Sequence, residues 1–184
     1  MDYIKIISGK KVYVSLPVKE DADYIFEWLK APFNALWCEC EEGKTLDTIK
    51  NDLDYAISND YNFMLRSKET NEPCISLGIA GLDFRNQSTY LEFVAGKSEY
   101  WTDGTVEEAL KLILDYCFNI LNIYNVTVWA FSCFDKTINC YLKTGFKEIG
   151  RRKEFISKFY GKTDIVYFDI LADEFSGCDI IKID

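Results

Sequence analysis

Apolar and polar residues follow two periodicities along the chain, one typical of helices and the other of strands. From Ala22 to Leu29 the apolar residues recur at the i, i+3, i+4, i+7 spacing of a helix with one buried face. A second helix is predicted to run from Thr45, which suits an N-cap, to Ile57. The clearest apolar stripe predicts a helix over Val106 to Asn122. A short helix follows from about Asp135 to Gly145, a residue that favours a left-handed cap.

Short apolar runs rich in β-branched and aromatic residues predict the strands. The runs between residues 62 and 96 are separated by the turn-like stretches Asn71-Glu72-Pro73 and Arg85-Asn86-Gln87, so we expect an antiparallel meander there. Gly161-Lys162 is predicted to be the turn of a last hairpin. The predicted strands are residues 12–16, 62–68, 74–84, 88–96, 125–132, 153–160 and 164–171.

This order of elements predicts a mixed α+β fold, in which helices flank a central, mostly antiparallel sheet. With 48% hydrophobic and 16% aromatic residues, the chain has enough apolar surface to form a packed core. A length of 184 residues suits one domain, which we place at residues 1–171, with a C-terminal tail at residues 172–184. The N-terminus does not resemble a signal peptide and no apolar run approaches a membrane span, so we expect a cytoplasmic protein without membrane contacts.

The charge balance is strongly acidic. The chain has 21 basic and 30 acidic residues, a net charge of −9, which disfavours nucleic acid as a partner because phosphates are neutralised by clustered Lys and Arg. An acidic cleft would attract a cationic substrate, whereas acidity spread over the surface would only keep the protein soluble. Both interpretations stay open at this point.

The residue types limit the chemistry that the chain can perform. It contains no histidine, which excludes imidazole-based metal sites and the Ser-His-Asp and Cys-His nucleophile arrangements. Seven cysteines are present, and Cys38-x-Cys40 lacks the spacing of common zinc knuckles, so no metal is predicted. We expect reduced thiols, as in other cytoplasmic proteins. Proton transfer must then use Glu, Asp, Tyr, Lys, Cys or water.

Local patterns at residues 72–82, 90–96 and 115–122, and the stretch Tyr141-Leu142-Lys143-Thr144-Gly145-Phe146, occur in this order along the chain. Together they resemble the GNAT superfamily of N-acetyltransferases, in particular the branch of ribosomal-protein N-terminal and aminoglycoside acetyltransferases. The resemblance spans roughly residues 12–171. It implies the acyl-CoA N-acyltransferase fold, acetyl-CoA as co-substrate and a primary amine of a small, cationic molecule as acceptor. A peptide N-terminus as acceptor and a non-catalytic binding domain are the alternatives, and a homodimer is left open.

The resemblance assigns the coenzyme loop to Trp101-Thr102-Asp103-Gly104-Thr105-Val106, where the family has (Arg/Gln)-x-x-Gly-x-(Gly/Ala). Backbone N–H groups at the start of a helix suit a pyrophosphate. Gly104 matches the family pattern, whereas Val106 puts a branched Cβ at the point of close approach and Asp103 adds negative charge. A purely structural alternative is that Thr105-x-x-Glu108 forms a capping box.

Further coenzyme contacts are implied at two other places. Phe134 stands where the family commonly has an Asn that touches the pantetheine, so a packing contact would replace a hydrogen bond. A backbone N–H of a splayed strand is expected to polarise the thioester oxygen, and Val94, Ala95 and Gly96 form the corresponding segment.

The resemblance also implies roles in catalysis and acceptor binding. Tyr141 corresponds to the tyrosine that protonates the departing thiolate, and Glu92 to an acid that takes the proton of the ammonium. The stretch from Glu27 to Trp37 is similar to the Trp-Leu-x-x-Pro...Trp stretch of aminoglycoside and lysine-type acetyltransferases. Aromatic faces and carboxylates suit a cationic amine. The predicted substrate residues are Trp28, Trp37, Glu39 and Asp83.

Overall fold

The computed structural model describes residues 3–31, 45–59, 61–157 and 161–177. Within these ranges the chain forms one eight-stranded sheet with helices packed on it. The strands are β1 (Lys5–Ser8), β2 (Val12–Ser15), β3 (Tyr61–Ser67), β4 (Pro73–Asp83), β5 (Ser88–Ala95), β6 (Asn125–Phe131), β7 (Lys147–Ser157) and β8 (Gly161–Leu171). The helices are α1 (Asp21–Leu29), α2 (Leu46–Asn59), α3 (Thr105–Asp115) and α4 (Asp135–Thr144), with short 3-10 helices at Ser98–Trp101 and Ala172–Glu174.

The strand order is β1-β2-β3-β4-β5-β6-β8-β7, and all neighbours are antiparallel except β5 and β6. These two central strands are parallel and pair only from Ser88 with Asn125 to Tyr90 with Thr127. Beyond Tyr90 and Thr127 the two strands diverge, because β5 continues to pair with β4 and β6 continues to pair with β8. The structure confirms the predicted α+β fold with a mostly antiparallel sheet.

The main core lies between the sheet and the pair of helices α3 and α4. Leu110, Ile113 and Leu114 of α3 are fully buried, as their spacing predicts. Successive side chains of a strand point to opposite faces. On β5, Phe93 belongs to this main core, whereas Val94 packs on the other face against Trp28 of α1. The site residues of β5 are therefore divided between two faces.

A buried ion pair fixes α1 to the sheet. Arg66 of β3 has no exposed surface, and its Nη2 donates to Asp21 Oδ2 at 2.6 Å, while its Nε donates to Ser15 Oγ at 3.1 Å. The same Asp21 oxygen accepts the N–H of Val18 at 2.9 Å, just before α1 begins. Breaking such a buried pair leaves an uncompensated charge. The position of α1, and of the Trp28 side chain it carries, is thus set by polar contacts as well as by packing.

The structure corrects several predicted boundaries. The short edge strand β1 was not predicted, because a four-residue run with an exposed start shows too little alternation. The helix predicted to end at Asn122 changes after Asp115 into one wide π-helical turn, Tyr116–Ile120. Strand β7 begins at Lys147 rather than Lys153, since two irregularities in its pairing interrupt the alternation. Gly161 and Lys162, predicted to form a turn, pair within the β7–β8 ladder.

Candidate functional site

The candidate site is the gap that opens where β5 and β6 stop pairing. Tyr90 and Thr127 are the last paired residues, so Glu92 and Trp129 lie at one level on either side of the gap, two residues further along each strand. In a parallel pair, residues at equal distance from a paired position point to the same face. Beyond Tyr90 and Thr127, the backbones of β5 and β6 are therefore no longer paired with each other.

Tyr141 of α4 closes one side of this gap. Its side chain is fully buried, and its ring lies 6.3 Å from that of Phe93 and 6.4 Å from that of Trp101, measured between ring centroids. The hydroxyl donates to the carbonyl oxygen of Trp129 at 3.4 Å, in the part of β6 that pairs with β8 but not with β5. Burial raises the pKa of Tyr141 well above its usual value of 10, with the neighbouring Cys140 as a smaller cause. The hydroxyl therefore remains protonated at the gap and can donate a proton.

A cavity of about 310 Å³ lies between the 3-10 helix Ser98–Trp101 and the connection from β6 to α4. Trp101 and Phe134, both predicted to contact the coenzyme, face each other across it. Phe134 also packs on Phe131, with ring centroids 6.1 Å apart. The exposed residues Asp135 and Lys136 also line this cavity. The cavity thus lies between Trp101, whose ring neighbours that of Tyr141, and Phe134, which packs with Phe131 in a separate apolar cluster.

The predicted coenzyme loop leads from this cavity to the start of α3. Gly104 has φ = +89°, a conformation that favours glycine, and a Cβ there would have only the Lys11 Nζ nearby, at 3.9 Å. Gly104 is therefore required for its backbone conformation and not for lack of space. The Val106 side chain lies in the core and is fully buried. The expectation that its Cβ obstructs the coenzyme is wrong, since this side chain points away from the surface of the loop.

The cap of α3 differs from the predicted capping box. Asp103 Oδ1 accepts the N–H of Thr105 at 2.8 Å, and the first intrahelical bond runs from the N–H of Glu108 to the carbonyl of Gly104 at 3.0 Å. The Glu108 carboxylate does not return to its own helix. It accepts the N–H groups of Lys11 and Val12 at 2.7 and 3.0 Å, because the β1–β2 hairpin lies beside the helix.

The directions of the N–H groups along β5 indicate which residue of the predicted segment could donate a hydrogen bond to the thioester oxygen. The N–H of Gly96 donates to the carbonyl of Cys74 at 2.8 Å, so the predicted role does not fit Gly96. Hydrogen-bonding direction alternates along an antiparallel strand, which turns the N–H of Val94 to the same side, towards β4. The N–H of Ala95 points the other way, towards the gap. Of the predicted segment, Ala95 has the orientation that the role requires.

Comparison with known proteins decides the family. A family model described as an acetyltransferase (GNAT) domain matches residues 12–147, which is more than half of the chain. The chain belongs to the GNAT acetyltransferase family. The match begins at β2 and ends at the start of β7, and so includes the gap, the cavity and the coenzyme loop.

Solved structures of other GNAT proteins have the same fold. A GNAT acetyltransferase from Bacillus anthracis superposes with a TM-score of 0.75 at 17% identity, covering 91% of this chain and 99% of its own. Spermidine N-acetyltransferase from Vibrio cholerae, in complex with CoA and spermine, gives a TM-score of 0.79 at 16% identity, covering 89% and 97%. A search of curated proteins finds no match. At these identities the likeness is one of fold.

The opposite face of the GNAT sheet carries the predicted acceptor residues. Glu92 is exposed there, and Trp28 packs against the end of β5. A Cβ on Gly96 would lie 2.8 Å from the Trp28 ring, so glycine is needed for the indole to lie flat on the strand. The structure therefore brings Trp28, Glu92, Val94 and Gly96 together. Trp37 and Glu39 lie outside the described residues and stay predictions.

Asp83 does not belong to this group. It ends β4 in the turn before β5, and this turn lies at the paired end of β5, opposite to the gap. Its Oδ1 accepts the N–H groups of Arg85 and Asn86, both at 2.9 Å. Hydrogen bonds from Asn86, first from its backbone and then from its side chain, lower the pKa of Asp83. The prediction that Asp83 lies with the other substrate residues is wrong, because a turn that is close to β5 in sequence lies at the end of the strand away from the gap.

Trp129 is a site residue that sequence reasoning missed. Its neighbours Val128 and Ala130 are buried in the main core, so the indole of Trp129 lies on the acceptor face, with Phe131 at a centroid distance of 5.5 Å. Period-two alternation in residues 125–131 was a usable signal. That Trp129 lies opposite Glu92, however, depends on the parallel register of β5 and β6, which the sequence does not reveal.

Metal clusters and membrane-spanning helices are both absent from the described ranges. No group of three or more Cys, Asp or Glu residues there is arranged to hold a metal ion. Among the same residues, none of the helices combines the length and the apolar character that a membrane crossing requires.

Proposed function

We propose that this GNAT protein transfers the acetyl group of acetyl-CoA to a primary amine of a small cationic molecule. The observation that carries the proposal is the position of the Tyr141 hydroxyl at the gap between β5 and β6. Trp101, whose ring neighbours that of Tyr141, lines a cavity together with Phe134, and Glu92 is exposed beside the gap. In the proposed reaction the coenzyme would enter past Trp101 and the amine past Glu92.

The residues on the coenzyme side fit acetyl-CoA. The first turn of α3 presents backbone N–H groups that precede the first intrahelical bond, and Gly104 allows a close approach of the backbone. The cavity between Trp101 and Phe134 has apolar walls that suit a pantetheine chain. When bound, acetyl-CoA supplies a thioester carbonyl as the electrophile. The N–H of Ala95 is directed to the side on which negative charge would develop on the thioester oxygen.

Two side chains would handle the protons. Glu92, exposed at the acceptor side of the gap, would take a proton from the ammonium directly or through water. Tyr141 would donate its proton to the departing thiolate. Burial raises the pKa of Tyr141, which keeps the hydroxyl protonated but also makes it a weaker acid. Proton transfer from tyrosine to a thiolate is not strongly driven, so the fixed position of the ring matters more than its acidity.

A cationic acceptor is supported by charge and by the fold neighbours. The net charge of the chain is −9, and a negative cleft concentrates cations. Glu92 and the indoles of Trp28 and Trp129 border the acceptor side, where carboxylates and aromatic faces would bind an ammonium group. The structural neighbour from Vibrio cholerae is named a spermidine N-acetyltransferase. We therefore propose polyamine-like molecules as the first acceptors to test.

The proposal is tested in two steps. Calorimetry should show acetyl-CoA binding, and mass spectrometry of reactions with a panel of polyamines, aminoglycosides and peptides with free N-termini should show acetylated polyamines. Absence of acetyl-CoA binding at millimolar ligand would refute an acetyltransferase function. Acetylation of the peptides alone would replace the proposed acceptor while retaining the chemistry.

A further inference from the structure

The coenzyme loop of this chain provides no cation of its own. From residue 98 to residue 110 the sequence contains Glu99, Asp103, Glu107 and Glu108, and no Lys or Arg. Asp103 in addition occupies the N–H of Thr105, at 2.8 Å, which is one of the donors that a phosphate would use. A pyrophosphate that approaches this helix start would meet like charge. Lys97 and Lys111 flank this stretch, and Lys111 is paired with Glu107 at 2.8 Å.

The β1–β2 hairpin is fastened to this helix start. Glu108 accepts the N–H groups of Lys11 and Val12 at 2.7 and 3.0 Å, across 97 and 96 residues of sequence. A Cβ at Gly9 would lie 2.3 Å from Glu108 Oε1, so only glycine lets the carboxylate lie so close to the hairpin. The backbone of Lys11 therefore has a defined position beside the coenzyme loop.

The Lys11 side chain extends from the hairpin to the loop itself. Its Nζ donates to the carbonyl oxygen of Asp103 and lies 3.9 Å from the position that a Cβ would take on Gly104. Lys11 also lines a cavity of about 470 Å³ beside the start of α3. Four lysines line this cavity in an otherwise acidic protein, together with Glu69, Glu72 and Asp103; the lysines are Lys10, Lys11, Lys68 and Lys97.

We infer that Lys11 binds a phosphate group of the coenzyme and thereby replaces the cation that the loop lacks. This inference rests on the proposed function, since it adds one residue to the same coenzyme site. The ammonium group is a compact charge on a flexible stem with three donors, so it can donate to the Asp103 carbonyl and to a phosphate oxygen at the same time. Affinity for the coenzyme then depends on a contact between two parts of the chain that are distant in sequence.

The test is calorimetric titration of the native protein, Lys11→Met, Lys11→Arg and Lys153→Met with coenzyme A and, separately, with pantetheine, which has no phosphate. Lys153 is an exposed lysine of β7 that lines none of the cavities described above, and its variant is the matched control for loss of one charge. We expect Lys11→Met to weaken coenzyme A binding about fivefold at low salt and less at high salt. Pantetheine binding should not change, Lys11→Arg should retain affinity for coenzyme A, and Lys153→Met should behave like the native protein.

Three results would contradict this assignment. Unchanged coenzyme A affinity in Lys11→Met, in a native protein that binds coenzyme A, would overturn the role of Lys11 alone. Equal weakening of coenzyme A and pantetheine would mean that the substitution distorts the loop, and would also overturn it. Failure of the native protein to bind coenzyme A at all would refute the proposed function, and the assignment with it. Thermal unfolding of each variant identifies those that are misfolded, and Lys11→Arg keeps the test valid if Lys11→Met is one of them.

Discussion

The two ends of the proposed coenzyme site are built in different ways. At the Tyr141 end, aromatic side chains of the main core surround one polar hydroxyl. At the loop end, charged groups from the β1–β2 hairpin and from α3 hold the backbone around Gly104. Packing sets the position of the first end and polar contacts set that of the second. Chemistry should therefore be separable from stability at Tyr141, whereas the two should be linked at the loop.

The largest effect is expected from Tyr141→Phe. The hydroxyl donates a long hydrogen bond, 3.4 Å to the Trp129 carbonyl, and its loss should change the unfolding temperature little because the ring keeps its packing. Loss of a positioned proton donor should lower kcat by about 100-fold or more. Steady-state kinetics and thermal unfolding measure the two quantities. A variant with native kcat would show that Tyr141 serves only as a core residue.

The next largest effect is expected at the other end, from Glu108→Ala. This substitution removes the acceptor of two backbone N–H groups, of which that of Val12 belongs to a buried residue, and should cost about 1–3 kcal/mol of unfolding free energy. Because the hairpin is released, coenzyme affinity should fall as well. Chemical denaturation and coenzyme titration are the measurements.

Glu107→Ala is the control for this change, since Glu107 lies in the same turn and pairs with Lys111 at 2.8 Å near the surface. Such a pair contributes less than about 1 kcal/mol. If both variants lost the same unfolding free energy, charge near α3, and not the hairpin contact, would determine stability.

The smallest effect is expected from Gly104→Ala. At φ = +89° an L-residue is strained, with an expected cost of about 1–2 kcal/mol, although there is space for the methyl group. Gly150→Ala is the matched comparison, because a Cβ there would have nothing within 4 Å and its φ is not in the positive range. Denaturation should show a loss for Gly104→Ala only. Equal stability of both variants would mean that the loop adapts without strain.

These differences also explain which parts of the site could be predicted. Tyr141 and Gly104 belong to motifs whose geometry depends on nearby residues, such as the cap at Gly145 with φ = +112°. The alternative in which Glu108 forms a local capping box arises because sequence reasoning compares a residue with its neighbours in the chain. Its partners are instead 96 and 97 residues away. The error at Asp83 has the same origin. Strand pairing determines whether the turn that contains Asp83 lies near the gap or at the opposite end of β5, and pairing is not visible in the local sequence.

The fold was predictable to a similar extent and for the same reason. Long periodic segments such as residues 106–115 give a strong signal, because every turn repeats it. Strand β1 is too short to do so, and in β7 irregular pairing near Gly150 and Arg152 shifts the alternation. The wide turn at residues 116–120 keeps the apolar stripe and was therefore indistinguishable from an ordinary helix.

The brief pairing of β5 with β6 has a consequence for the dimensions of the site. Three residue pairs join the two halves of the sheet, so backbone hydrogen bonds do little to set the distance between the strands at Phe93 and Ala130. Phe93 of β5 and Ala130 of β6 belong to the same hydrophobic core as Leu110 and Ile113 of α3, so core packing contributes to their separation. The width that the proposed acyl substrate would find then depends on the volume of hydrophobic residues that touch no substrate.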